Sequence, residues 1–284
     1  MNLADKGELV GFLRKHGLGA DKSLGQHFLA APSVVQAIVK AAEPYEGCLE
    51  IGPGPGILTC QLVKRAKKMV AIEFDARMES LLALSTPGCE VIIGDAMQVD
   101  LAAVLKTLPE PRALVSNLPY YITGPLLERF AQVRSEYSVS VLMMQKEVGQ
   151  KIIALPSDRA RGSLSVHLQS QFKISHVVNA SAGCFLPPPK VDSIVLKFVP
   201  RTDQFPIHFS RVVKAGFTQN RKTLINNLSA TFRQTKADIE SILSECGLPI
   251  TSRAFELCES DWIRLATEIE KQPWIESVAN NSKK

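Results

Sequence analysis

Five short apolar runs, at residues 48–52, 69–74, 90–93, 113–117 and 138–145, alternate with stretches of helical character. Such alternation admits few folds, because parallel strands joined by crossover helices must lie in one sheet with helices on both faces. A further strand pair is expected at 176–182 and 193–199, separated by Pro187, Pro188 and Pro189, which belong to neither strand. Beyond Pro200 the strand-like runs vanish and helix formers take over, with breaks at Gly216, Gly247 and Pro249. The expectation is an α/β unit with a mostly parallel sheet over 1–200, a small all-helical unit over 205–275, and a polar tail at 276–284.

The length of 284 residues suits two such units, and 45% hydrophobic with 21% charged residues is an ordinary globular balance. Six cysteines stand singly, without a C-x-x-C pair or a histidine at ligand spacing, so reduced thiols and no metal are expected. The N-terminal segment is broken by charges and no later run reaches membrane-spanning length, which excludes a membrane-embedded function and suggests a cytoplasmic protein.

The segment 49–59, LEIGPGPGILT, ends a strand and opens a helix, the place where open α/β sheets bind ligands. A dinucleotide fingerprint would put its third glycine at 57, but here the glycines fall at Gly52, Gly54 and Gly56. Glu73 closes the next strand, placed to accept both hydroxyls of a ribose. Asp95 closes the third, placed to bond an adenine amine. One ribose and one adenine describe a mononucleoside ligand. The bland alternatives are a tight strand-to-helix turn and two solvated strand ends.

Asn117-Leu118-Pro119-Tyr120 ends the fourth strand, on the same sheet edge. An exocyclic amine such as adenine N6 is a poor nucleophile, since its lone pair is delocalised into the ring. Two acceptors, the Asn117 side-chain oxygen and the Leu118 carbonyl, would draw its N–H groups toward a tetrahedral arrangement. Pro119 holds Leu118 extended and offers no competing donor. Tyr120 supplies a stacking face for an extruded base, while Tyr121 reads as packing. A general base is not required when the methyl donor is itself activated. Alone, the tetrapeptide is also compatible with an ordinary proline-containing loop.

Charge enters through its distribution. The net charge of +5 is modest, but from Gln204 to Lys236 there is no acidic residue, while Arg211, Lys214, Arg221, Lys222, Arg233 and Lys236 all occur. Arg211, Lys214 and Arg221 are expected along one side of a helix with Lys222 beside them, a surface for phosphates or else a solvated face.

With these motifs in place, the chain resembles the ribosomal RNA adenine N6,N6-dimethyltransferases, nearest to the bacterial small-subunit members associated with kasugamycin sensitivity. The resemblance runs from KSLGQHFL at 22–29 through the glycine loop, the catalytic tetrapeptide and QKEV at 145–148. It continues through FLPPPKVDS at 185–193 to FTQNRKTL at 217–224. It implies a Rossmann-like class I methyltransferase fold and S-adenosyl-L-methionine as methyl donor. It also implies cofactor contacts from His27, Leu29, Gly52, Glu73, Asp95 and Asn117, and Phe185 as a second aromatic face opposite Tyr120. The implied substrate is small-subunit ribosomal RNA or a pre-ribosomal particle, with two adjacent adenosines each dimethylated; a monomer is the default expectation. Many members carry Asn where this chain has His27, and Arg where it has Asn220; Pro55 is another variable position. His27 and Phe185 have bland alternatives as core residues. Two rival readings are a large-subunit adenine dimethyltransferase of the antibiotic-resistance type and a ribosome-assembly or transcription factor that keeps the fold without catalysis.

Overall fold

A computed structural model describes residues 2–21 and 25–275. The expected polar tail at 276–284 lies outside the described residues, as do Lys22, Ser23 and Leu24. The chain divides into two compact units, Met1–Gly149 with Lys173–Pro200, and Gln150–Phe172 with Arg201–Lys284.

Nine strands occur among the described residues: β1 (Phe28–Leu29), β2 (Gly47–Ile51), β3 (Lys68–Glu73), β4 (Cys89–Ile93), β5 (Arg112–Asn117), β6 (Val139–Gln145), β7 (Phe172–Ala180), β8 (Phe185–Leu186) and β9 (Ser193–Pro200). Seven form one sheet in the order β4-β3-β2-β5-β6-β9-β7. The pairs β3/β4, β2/β3, β2/β5 and β5/β6 are parallel, while β9 runs antiparallel to β6. This is the mostly parallel Rossmann-like sheet expected from the alternation. β1 and β8 form a separate antiparallel pair, Phe28 opposite Leu186 and Leu29 opposite Phe185, which two-residue strands do not announce in sequence.

Burial on both faces accounts for the apolar strands. Every residue of β2 is buried, as are the inner residues of β3, β5 and β6. The helix Pro32–Ala42 starts on a proline, whose fixed φ suits the first turn, and buries Val34, Val35, Ile38, Val39 and Ala42 along one face. The strand order reverses between β2 and β5, which opens a crevice beyond their C-terminal ends.

The second unit contains the helices Ser163–Gln171, Phe209–Gly216, Leu224–Phe232, Lys236–Glu245 and Glu259–Glu270. Its core is built on Phe209, Leu224, Leu228, Phe232, Leu243 and Trp262, and Val166 belongs to it as well. Residues 150–172 therefore group with this unit, whereas the sequence alone suggested a single break near residue 200. The reason is local. Helix 163–171 contributes Val166 to the helical core, and buried Arg161 donates to the Ala154 carbonyl (2.7 Å) and to Gln169 Oε1 (2.7 Å), which ties the preceding loop to that helix.

Candidate active site

Glycine is required at the loop after β2. Gly52, Gly54 and Gly56 all have positive φ, at 71°, 56° and 91°. A Cβ on Gly54 would stand 3.1 Å from the Phe28 ring, and one on Gly56 would collide with Ser85 Oγ at 2.6 Å and Thr86 Cγ2 at 2.7 Å. The loop is thus both left-handed and closely packed.

Glu73, the last residue of β3, is 5% exposed. Its Oε2 accepts from the Gly54 N–H and its Oε1 from the Asp75 N–H, both at 2.8 Å. Burial raises its pKa, against the pull of those backbone donors. The carboxylate therefore clamps the glycine loop and retains further acceptor capacity. Asp95 follows β4, where the Gly94 N–H donates to the Glu73 carbonyl (2.8 Å) and Asp95 Oδ1 accepts from the Met97 N–H (2.8 Å). Arg129 braces this loop by donating to the carbonyls of Met97 and Val99, each at 2.6 Å.

Asn117 ends β5, and its Nδ2 donates to the His27 carbonyl at 3.2 Å. A carbonyl can only accept, so this contact orients the amide and leaves Oδ1 as the uncommitted end. The Leu118 N–H donates to the Met143 carbonyl (2.9 Å), and Pro119 is extended at φ −60°, ψ 126°. The Tyr120 hydroxyl is paired with Ser193 Oγ at 2.8 Å, and its ring stacks on that of His27 with centroids 5.8 Å apart and planes 24° off parallel. His27 Nδ1 lies 2.8 Å from the Pro187 carbonyl.

These elements surround one cavity of about 290 Å³. His27, Leu29, Gly52, Gly54, Glu73, Asp95, Asn117, Leu118, Pro119 and Tyr120 all line it, residues drawn from the ends of β1 to β5 and the position before β1. Phe185 does not. It is 1% exposed and sits in the core, opposite Leu29 in the β1–β8 pair, so its ring offers no face to the cavity. Burying a phenyl ring removes much apolar surface from water, and that preference decides its place.

Several lining residues were not anticipated. Tyr121, expected as packing, is 63% exposed at the cavity, and Phe74 is 59% exposed beside Glu73. Asp75 accepts from Gln26 Nε2 (2.8 Å) and pairs with Arg77 (2.6 Å), which holds its carboxyl below the usual range. Glu50 is fully buried in β2 and its Oε2 has no hydrogen-bond partner. Burial pushes its pKa up to about 8, with Thr59 pulling the other way and Glu73 adding to the rise. The sequence carried one signal for it, an acid inside an otherwise apolar strand.

The basic stretch behaves differently from its expected pattern. The helix Phe209–Gly216 stops before Arg221, and Asn227 Nδ2 closes the following turn by donating to the carbonyls of Gly216 (2.6 Å) and Gln219 (3.1 Å). Arg221 and Lys222 are exposed in that turn and Lys214 is exposed on the helix, so no single helix row carries them. Arg211 is diverted inward. Its guanidinium lies 5.5 Å from the Phe232 ring centroid and donates to the Ile275 carbonyl at 3.4 Å.

Known proteins resemble this chain over most of its length. The family model for ribosomal RNA adenine dimethylase matches residues 18–271. A ribosomal RNA small subunit methyltransferase A from Macrococcus caseolyticus is 35% identical over 277 residues, covering 92% of this chain and 94% of its own. Among solved structures, a dimethyladenosine transferase from Plasmodium falciparum superposes with a TM-score of 0.73 at 27% identity, covering 86% of this chain and 98% of that one. The 23S rRNA methyltransferase ErmE shares the fold, with a TM-score of 0.65 at 23% identity over 86% and 99% of the two chains. A glycine loop clamped by a strand-end glutamate, an Asn-Leu-Pro-Tyr turn on the same sheet edge and a match spanning nearly the whole chain lead to one assignment: the chain belongs to the ribosomal RNA adenine dimethylase family.

Proposed function

We propose that this chain is an S-adenosyl-L-methionine-dependent methyltransferase that dimethylates N6 of adenosines, two adjacent ones, in small-subunit ribosomal RNA. The observation that carries the reading is the orientation of Asn117. With Nδ2 committed to the His27 carbonyl, Oδ1 is the uncommitted acceptor of a residue that lines the cavity together with Leu118.

The cavity fits the methyl donor. Glu73 would accept from the ribose hydroxyls, Asp95 from the adenine amine, and the backbone of Gly52 and Gly54 would lie against the nucleoside where a Cβ would obstruct it. The fully buried Glu50 carboxyl, whose Oε2 has no hydrogen-bond partner, adds a neutral polar group to the wall. When bound, the donor supplies an activated methyl group on a sulfonium.

The residues then act on the base. Asn117 Oδ1 and the Leu118 carbonyl accept the two N6 hydrogens and localise the nitrogen lone pair toward the incoming methyl. Tyr120 holds the extruded base by stacking, worth roughly 1–3 kcal/mol per base. A monomethylated amine retains one N–H, so one acceptor still orients it for the second transfer. The proton departs after each transfer, when the nitrogen has become acidic.

Lys214, Arg221 and Lys222 are read as contacts to ribosomal RNA phosphates, supported by their exposure and by the absence of acids in the surrounding sequence. Action on ribosomal particles fits a cytoplasmic location, and no described helix is long and apolar enough to cross a membrane. The test supplies labelled methyl donor with unmodified small or large subunits and maps reverse-transcriptase stops, since dimethylation abolishes Watson–Crick pairing. Stops confined to small-subunit RNA are expected. Stops in large-subunit RNA alone would favour the rival specificity, and none in either would favour an assembly factor.

A further inference from the structure

We propose that His27 is a positioning residue of the catalytic loop, its ring and its backbone carbonyl together fixing Tyr120 and Asn117 against the target amine. This rests on the reading of the cavity as an adenine N6 methyltransferase site.

Three contacts carry the inference. The His27 carbonyl takes the Asn117 Nδ2–H at 3.2 Å, which decides that the oxygen end of the amide is left for substrate. His27 Nδ1 lies 2.8 Å from the Pro187 carbonyl. That oxygen has no hydrogen to give, so Nδ1 carries the proton, and the bond fixes both tautomer and ring orientation. The ring so held is stacked on Tyr120 at 5.8 Å and 24°.

Tyr120 is therefore restrained at two places. Its hydroxyl is tied to Ser193 Oγ at 2.8 Å, and one of its faces is covered by His27. An adenine entering the site stacks on the remaining face. Phe185, buried opposite Leu29, does not offer a competing surface. The side chain at position 27 thus defines where the stacking plane stands, and the backbone at the same position defines which atom of Asn117 meets the amine. A displacement of either by about 1 Å is enough to cost on the order of a hundredfold in rate.

Histidine supplies two properties at once, a flat ring and a donor. His27→Phe keeps the ring and loses the donor to Pro187; His27→Asn keeps an amide donor and loses the ring. Both preserve the backbone carbonyl. The experiment measures single-turnover methyl transfer to small subunits at saturating donor and RNA, together with S-adenosyl-L-methionine affinity by calorimetry. The rate constant is expected to fall at least about tenfold in His27→Asn and less in His27→Phe, in each case by a larger factor than any loss of donor affinity. An unchanged rate constant in both variants would overturn the proposal. So would a loss of donor affinity as large as the loss of rate, because the side chain would then be serving the cofactor.

A second measurement needs neither RNA nor donor. Long-range ¹H–¹⁵N correlation on the wild-type chain reads the tautomer of each of its five histidines. His27 is expected as the Nδ1–H form, and an Nε2–H form would overturn the proposal even if both variants failed to fold. Failure of the functional reading is separate: it would appear as wild-type protein that methylates neither subunit while the His27 tautomer stands as expected.

Discussion

Removing the Glu73 carboxylate should damage the protein in two separable ways. Glu73→Ala deletes the acceptor of two backbone donors, Gly54 N–H and Asp75 N–H, each bonded at 2.8 Å. An unsatisfied buried donor costs roughly 1–3 kcal/mol. Gly54 borders the cavity, where water can partly replace the lost acceptor, so the lower part of that range applies and a total of about 2–3 kcal/mol is expected. For a unit of this size that lowers the unfolding temperature by about 5–10 °C. Cofactor binding suffers separately, because two ribose hydroxyls lose a charged acceptor worth roughly 1.5–3 kcal/mol each, so Kd should rise by at least about a hundredfold. Glu73→Gln retains one acceptor oxygen, so it should recover part of the stability while Kd remains at least about tenfold weaker. Calorimetric titration with S-adenosyl-L-methionine reads the second effect, and thermal unfolding without ligand reads the first. A folded Glu73→Ala variant with wild-type Kd would refute the ribose assignment. An unchanged unfolding temperature would refute the clamp on the glycine loop.

Three further outcomes follow from the same geometry. Asn117→Ala should lower the single-turnover rate constant at saturating donor by roughly 10²–10³, the scale of losing one preorganised polar contact to a transition state, and far more than it weakens RNA binding; a wild-type rate constant would remove Asn117 from the chemistry. Burial holds the Glu50 carboxyl protonated in the fold up to about pH 8, whereas in the unfolded chain it would ionise near the ordinary value of 4.5. The folded state then holds the extra proton, so Glu50 makes stability fall as pH rises from about 4.5 to about 8, by a few kcal/mol in total. Glu50→Gln should flatten that slope in urea titrations across the window, and an identical slope would show that Glu50 ionises normally. Arg221→Ala with Lys222→Ala should weaken binding to small subunits and reduce its salt dependence by about 0.7–0.9 log units per lost contact, whereas Arg211→Ala should lower stability and leave the salt slope alone. Equal slopes for the wild-type chain and the double variant would mean that Arg221 and Lys222 are only a solvated face.

The contrast between Arg211 and its neighbours illustrates what a charge pattern conveys. The absence of acids from Gln204 to Lys236 is a fact of composition that tertiary structure does not alter. Which cation faces solvent depends on whether an aromatic ring or an open carbonyl lies within its reach. Phe232 and Ile275 capture Arg211, and neither is adjacent to it in sequence. Phe185 and Tyr121 make the same point in opposite directions. Both are aromatic and both flank a proline-containing motif, yet one is buried in the core where β8 pairs with β1, and the other stands exposed at the cavity.

Periodicity and punctuation determined the strands of the parallel sheet, the glycine loop, and the acids and tetrapeptide at the strand ends. These are local properties: the alternation of apolar runs, the need for positive φ at Gly52, Gly54 and Gly56, and the constraint of Pro119 on Leu118 act within a few residues. The tertiary structure decided what depends on distant partners. It placed the His27 carbonyl and ring against Asn117 and Tyr120, ninety or more positions away, and closed Glu73 onto the loop of Gly54. It also assigned residues 150–172 to the helical unit, since a helix joins whichever core buries its apolar face, and that core is completed only by residues some forty positions and more downstream.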